Sequence, residues 1–201
     1  MRIPTDTHTT QPWRIHEFTR DFQVEDVWSF RTPGAGPDDF PLMLAALRAH
    51  AGPANASLVV RFLLAARWKL GALFGWDKPD NGFEGRARSL RESLPPDIPA
   101  SQDNYVVPGT PMTELYVLDN ESAMELANQT VHAIMHLGWV PGENGDYELR
   151  MAILVKPNGI FGQLYMAAIK PFRYLIVYPA MTRQWEQAWH DRDHLAGGQE
   201  S

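Results

Sequence analysis

The stretch from Gly159 to Trp189 limits the fold more than any other part of this 201-residue chain. It is the longest apolar segment and the richest in aromatic residues. Phe161, Leu164, Tyr165, Ala168, Phe172, Leu175, Ile176 and Pro179 recur in steps that place them on one side of a helix. Gln163, Lys170, Arg173 and Tyr174 fall on the other side. Pro171 and Pro179 interrupt the run, and a proline inside a helix costs about 3 kcal/mol. The pattern predicts one long C-terminal helix over 162–189, kinked or restarted near Pro171 and disturbed again near Pro179. Its apolar stripe needs a large partner surface. Residues 159–181 are long enough to cross a bilayer. Lys170 and Arg173 would then sit near mid-span, at about 3 kcal/mol each. A core helix with a cationic outer rim is therefore favoured over a transmembrane or interfacial one.

Composition narrows the classes. Hydrophobic residues make up 44% and charged residues 21%, which suits one globular domain with a sizeable core. The net charge of -6 argues against a nucleic-acid partner, which needs a basic face. The absence of cysteine excludes disulfides, zinc–thiolate sites and a cysteine nucleophile, and is compatible with a cytoplasmic location. The opening residues, MRIPTDTHTTQPWRIHEF, lack the apolar centre of a signal peptide.

Residues 1–12 are polar and predict a flexible, loosely held arm. One domain is expected over 13–192, with a flexible tail over 193–201. Trp13–Phe22 partly alternates and reads as a first strand. Residues 25–30 read as a short helical turn with acids at its positive end. Pro33–Pro37 is a loop. Asp38 or Asp39 can cap a helix over Phe40–His50, with Pro41 in its first turn and Phe40, Met43, Leu44 and Leu47 on its apolar side. A second helix is expected over 58–74, ended by Gly75. Residues 77–111 are rich in turn formers and hold at most a short helix over 84–94. So long a connection suits a lid or binding loop.

The remainder reads as strands at 113–118, 123–127 and 147–155, with a turn over 119–122. Residues 130–139, TVHAIMHLGW, fit either a helix or a strand. Pairing them with 147–155, Trp139 opposite Tyr147, sets Leu137 against Leu149, Met135 against Met151 and Ala133 against Ile153. One side is then wholly apolar, and a one-residue slip would destroy the sorting. The hairpin is preferred. The resulting order is strand, helices, long loop, antiparallel sheet and long helix, an α+β fold.

This order resembles the helix-grip fold of the START and birch-allergen-like superfamily, SRPBCC: a curved antiparallel sheet with a long C-terminal helix across it. The run YELRMAILVKPNGIFGQLYMAAIKPFRYLIVYPAM is similar to a bacterial branch of it, domain-of-unknown-function family 2867. Gly159–Tyr165 and Ile169–Arg173 are its closest echoes. The resemblance covers about residues 113–190 and extends over 13–75. It implies an apolar cavity between sheet and helix, holding a small hydrophobic or aromatic molecule. Members of the branch also occur behind a dinucleotide-binding domain. This sequence has no GxGxxG strand–turn–helix, and no cofactor is expected. A homodimer stays open.

Met135, Leu137, Trp139, Tyr147, Leu149 and Met151 on the sheet, with Phe161, Tyr165, Ala168 and Phe172 on the helix, are the candidate ligand-binding residues. The same residues suit a filled core, and only the resemblance tips the reading towards a pocket. A cyclase, hydratase or hydrolase on the same frame would need an acid or base there. Tyr147, Tyr165, Glu114 and Arg173 are the candidates. A protein- or membrane-surface module using the aromatic helix is a third reading. His132 and His136 have the four-residue spacing of a helical zinc pair. On a strand they lie about 13 Å apart and serve no single metal. No metal site is expected, and a solvated or interface face is the simpler account. Asp38 and Asp39 are better read as caps than as an acid pair. Gly138 marks either a bend opening a cavity or a simple irregularity.

Overall fold

The computed structural model describes residues 1–51, 89–101, 105–106, 112–127, 131–142, 144–157, 170–171 and 173–192. It is an α+β fold around an open six-stranded antiparallel sheet. The strands are β1 Arg2–Ile3, β2 Gln23–Phe30, β3 Thr113–Val117, β4 Glu121–Ala127, β5 Val131–Pro141 and β6 Tyr147–Pro157, in the order β1-β2-β6-β5-β4-β3. The described helices are α1 Asp6–Thr9, α2 Phe40–His50 and α3 Tyr178–His190, with 3-10 turns at Arg14–Glu17 and Leu90–Ser93 and a π-helical turn at Arg173–Val177.

The hairpin of β5 and β6 forms, and alternation sorts its faces as expected. Its register lies two residues away from the expected one. Pro141 faces Tyr147, Trp139 faces Leu149, Leu137 faces Met151 and Met135 faces Ile153. A two-residue shift keeps every side chain on its own face, so apolar sorting does not detect it. The turn decides the register. The Gly142 N–H donates to the Asp146 carbonyl at 2.7 Å, and Gly145 takes φ +86°, which glycine adopts without cost.

Both faces of the sheet are covered. On one, α2 and α3 pack together over Phe30, Leu137, Trp139, Leu149 and Met151, contributing Phe40, Met43, Tyr178 and Trp189. The expected apolar side of α2 is the buried one. Asp39 takes the N-cap position without capping by its side chain, because its Oδ2 accepts instead from the Gly36 N–H at 2.7 Å. The other face carries Val27, Tyr116, Ala123, Ile134, Ala152 and Leu154. Trp13, Ile15, Phe18 and Phe22 cover it from one segment, and Leu90, Leu94 and Ile98 from another.

Three expectations are corrected. Residues 13–22 are not a strand: Arg14–Glu17 is a 3-10 turn, because the spacing of Trp13, Ile15, Phe18 and Phe22 is irregular rather than alternating. The first long strand is 23–30, of which residues 25–30 were expected as a helical turn. Its register shifts between Val24 and Asp26, and this bulge breaks the alternation a strand would otherwise show. In the C-terminal segment, Leu175 was placed on the buried side but is 77% exposed, while Arg173 and Tyr174 turn inward. The π-turn carries more residues per turn than an α-helix and so rotates the face. From there Tyr174, Tyr178, Met181, Trp185 and Trp189 form the inner stripe. Pro179 closely follows this π-turn, so an irregular turn stands where the second disturbance was expected.

Residues 1–12, expected as a loose arm, contribute β1, paired with β2, and α1, whose His8 is buried. The expected helix over 58–74, the kink just before and after Pro171, and the tail over 193–201 involve residues outside the described ones. The stretch 89–101, part of the expected lid, is anchored by Ile98 at 3% exposure on the face opposite α3. Among the described residues no helix is long and apolar enough to cross a membrane.

Candidate functional site

The two faces hold polar groups of different character. On the face covered by residues 1–22 and 89–101, His132 and His136 are 4% and 0% exposed, buried under the chain's own segments where a solvated or interface face was expected. Each ends in a carboxylate from β4. His136 Nε2 donates to Glu121 Oε2 at 2.7 Å, and His132 Nε2 donates to Glu125 Oε1 at 2.6 Å. Each carboxylate also takes the first N–H of a 3-10 turn. Arg14 N donates to Glu121 Oε1 at 2.8 Å, and Leu90 N donates to Glu125 Oε1 at 2.7 Å. The Ser89 hydroxyl adds a bond to Glu125 Oε2 at 2.5 Å. These carboxylates satisfy the open donors of the two covering segments. Burial works to raise the Glu125 pKa, but the bonds from His132, Leu90 and Ser89 prevail and hold it below the usual carboxylate value.

His136 Nδ1 lies 3.1 Å from His8 Nε2. With His136 donating through Nε2, its Nδ1 accepts and His8 Nε2 donates. Burial, with His136 and His16 close by, lowers the His8 pKa to about 2. His136 is also held below the ordinary histidine value by burial, against the pull of Glu121. The arrangement is a buried chain, with both imidazoles neutral, that ties α1 to the sheet. Among the described residues no group of three or more His, Cys, Asp or Glu side chains is placed to hold a metal ion.

The face under α3 holds one completely buried carboxylate, Asp26. The β2 bulge turns it inward beside Trp28. It accepts from Arg173 Nη2, from the Tyr174 hydroxyl and, at 2.9 Å, from the Tyr178 hydroxyl. Arg2 stands 3.8 Å away, and Glu25 lies 3.5 Å from Arg173 and 3.6 Å from Lys170. Burial pushes the Asp26 pKa up, against Arg173 and Tyr178, and burial likewise raises the Tyr178 hydroxyl. The Trp28 ring stacks obliquely on Tyr178 at 4.6 Å, and the Arg173 guanidinium lies 5.9 Å from the same ring. Trp28 Nε1 and Arg173 Nε are both buried, and neither has an acceptor among the described residues. An unmatched buried donor costs about 1–3 kcal/mol.

Of the expected ligand-binding residues, Leu137, Trp139, Leu149 and Met151 are brought together and fully buried in one cluster. Trp139 Nε1 donates to the Gly36 carbonyl at 2.9 Å. Met135 is half-buried against the cluster, as are Trp28, Ile153 and Tyr174. Tyr147 stacks on Trp139 and faces a different place, an open concavity of about 390 Å³ lined by residues 31–33, 142, 144, 146–148 and the end of α3. Polar groups there are already engaged: Arg31 with Glu186 at 3.6 Å, Glu148 with Arg150 at 2.9 Å, and Trp189 Nε1 with the Pro33 carbonyl at 3.1 Å. Phe161, Tyr165, Ala168 and Phe172 lie outside the described residues. Of the candidate acids and bases, Arg173 belongs to the Asp26 cluster. Glu114 pairs with Arg48 at 2.5 Å and Ser101 at 2.6 Å, which ties β3 to α2 and residue 101.

Sequence reasoning missed Asp26 and both buried Glu–His pairs. The bulge hid the first. The signal for the others was present, since Glu121 and Glu125 repeat the four-residue spacing of His132 and His136 on adjacent strands. No curated protein and no solved structure matches the chain. A family described as "Protein of unknown function (DUF2867)" matches residues 18–180, which span both faces of the sheet and the Asp26 cluster, and the chain belongs to that family.

Proposed function

We propose that this is a binding protein of helix-grip type, taking a small hydrophobic or aromatic molecule between the sheet and the C-terminal helical segment. The carrying observation is Asp26. A fully buried carboxylate with a guanidinium and two phenols stands in an otherwise apolar interface, where it costs folding energy that a hydrophobic residue would not. Ile153 lies opposite Asp26 on β6 and Tyr174 bonds to it, and with half-buried Trp28 and Met135 they pack on the adjoining apolar cluster as apolar and aromatic wall. That combination, apolar lining with a few convergent polar groups, is the usual build of a small-molecule site. The Asp26 oxygens are occupied by Arg173, Tyr174 and Tyr178. The carboxylate therefore serves to fix those side chains, and binding is favoured over acid–base catalysis.

Native mass spectrometry of freshly purified protein tests the reading by retention of a small molecule. Titration with an anilinonaphthalene dye tests it independently. The expected result is micromolar binding, lost in Met135→Trp, whose larger side chain occupies the interface, and kept in Tyr147→Ala. Loss in Tyr147→Ala with retention in Met135→Trp would move the site to the concavity at the end of α3.

A further inference from the structure

The Asp26 cluster has a property that its role as a binding site alone does not require. Among the described residues, its buried nitrogen donors are not all matched. Asp26 accepts from Arg173, Tyr174 and Tyr178, so its oxygens are committed. The two atoms left over, Trp28 Nε1 and Arg173 Nε, can only donate. Both groups border the Tyr178 ring, so they belong to one neighbourhood. Neither can change role. Indole carries no acceptor, and the guanidinium keeps its charge beside Asp26. Local charge points the same way: Glu25 and Asp26 face Arg2, Lys170 and Arg173, so an added partial negative charge is not repelled.

Resting on the binding reading above, we infer that the ligand carries a carbonyl-type oxygen on its apolar or aromatic body, and that Trp28 Nε1–H and Arg173 Nε–H are the donors that recognise it. A hydrocarbon of the same shape leaves both donors unmatched. A head group that only donates leaves both of these donors unmatched as well. Discrimination of this kind is strong, because a buried group left unpaired weighs more than a lost apolar contact.

A matched pair tests it: 2-acetylnaphthalene and 2-isopropenylnaphthalene, which differ by C=O against C=CH2 at nearly constant shape. Affinities are read by ligand-observed NMR on the full chain. The ketone is expected to bind at least tenfold tighter than the alkene. Trp28→Phe keeps an aromatic ring against Tyr178 and removes one donor, and should shrink that preference, read as the ketone-to-alkene ratio within the variant, to about threefold or less. Arg173→Lys, checked for fold by circular dichroism, should shrink it too. Equal binding of ketone and alkene to the unaltered protein overturns the inference and leaves the binding reading intact. A ketone preference that survives both substitutions also overturns it, since the donors then lie elsewhere. Binding of neither compound at millimolar concentration overturns the binding reading and the inference together.

Discussion

At Gly138 an added Cβ would lie 2.6 Å from Cζ2 and 2.7 Å from Cη2 of Trp13. The indole is 7% exposed and packed in the core, so it has little room to yield. Gly138 also stays in register with Glu121 and Arg150 on both sides. The glycine is there for close approach, and neither a bend nor an irregularity explains it. Gly138→Ala should destabilise the fold by about 1–3 kcal/mol through overpacking. The check is the urea midpoint, with Trp13→Phe in the same background recovering part of the loss. Sequence alone flagged Gly138 and could not give its reason, because the partner lies 125 positions away along the chain. The same limit applied to His136. Its spacing from His132 was visible, but its partners His8 and Glu121 arrive only when the sheet and the opening segment assemble.

Local rules read α2, β3 and the alternation of β5 and β6 well, since period alone fixes which side chains share a face. They failed where one residue was inserted: the bulge in β2 and the π-turn before α3 each displace the pattern that a fixed period assumes. Failure there matters most, because both irregularities aim side chains at Asp26. The 3-10 turns show a different element-level device. Short turns have too few internal bonds to stand alone, and each here begins on a carboxylate borrowed from β4. Glu125→Gln should loosen residues 89–101 selectively. The amide oxygen can keep the bonds from Leu90 and His132, which share Oε1, but the NH2 that replaces Oε2 cannot accept from the Ser89 hydroxyl. A loss of about 1–3 kcal/mol is expected. Hydrogen exchange should quicken at 90–98 and stay slow at 147–157. Equal change in both segments would show that Glu125 supports the sheet rather than the covering segment.

For the whole molecule, one face of the sheet is closed by buried histidines and carboxylates, and this makes stability depend on pH in two overlapping windows. His8 has its folded pKa lowered from 6.5 to about 2 by burial, with His136 and His16 adding to the shift. Below pH 6.5 the unfolded chain binds a proton at His8 that the folded chain does not. The contribution is therefore fully present above 6.5 and is lost as pH falls, by about 1.4 kcal/mol per pH unit. At pH 5 that is about 2 kcal/mol from His8 alone. His136 shifts in the same direction and adds to the loss. Glu125, held below its usual value of 4.5, opens the second window: its contribution is present above 4.5 and fades as pH drops through its folded pKa. Nothing in this ledger concerns the Asp26 face, whose carboxyl is shifted upward by burial and gives the opposite slope, a loss of stability as pH rises from 3.8. Between pH 6.5 and 5.0 the Glu125 contribution is still in place, and comparison with a variant that lacks the His8 ring isolates the His8 part. Urea unfolding at pH 7.5, 6.5, 5.8 and 5.0 should show stability falling with a slope near one proton or more. In His8→Gln, which keeps a polar side chain without a titrating ring, the slope between 6.5 and 5.0 should drop by about one proton, while the decline below 4.5 remains. An unchanged slope would mean that His8 is free to take up its proton in the folded protein, and that the buried chain from His8 to Glu121 does not hold the opening segment against the sheet.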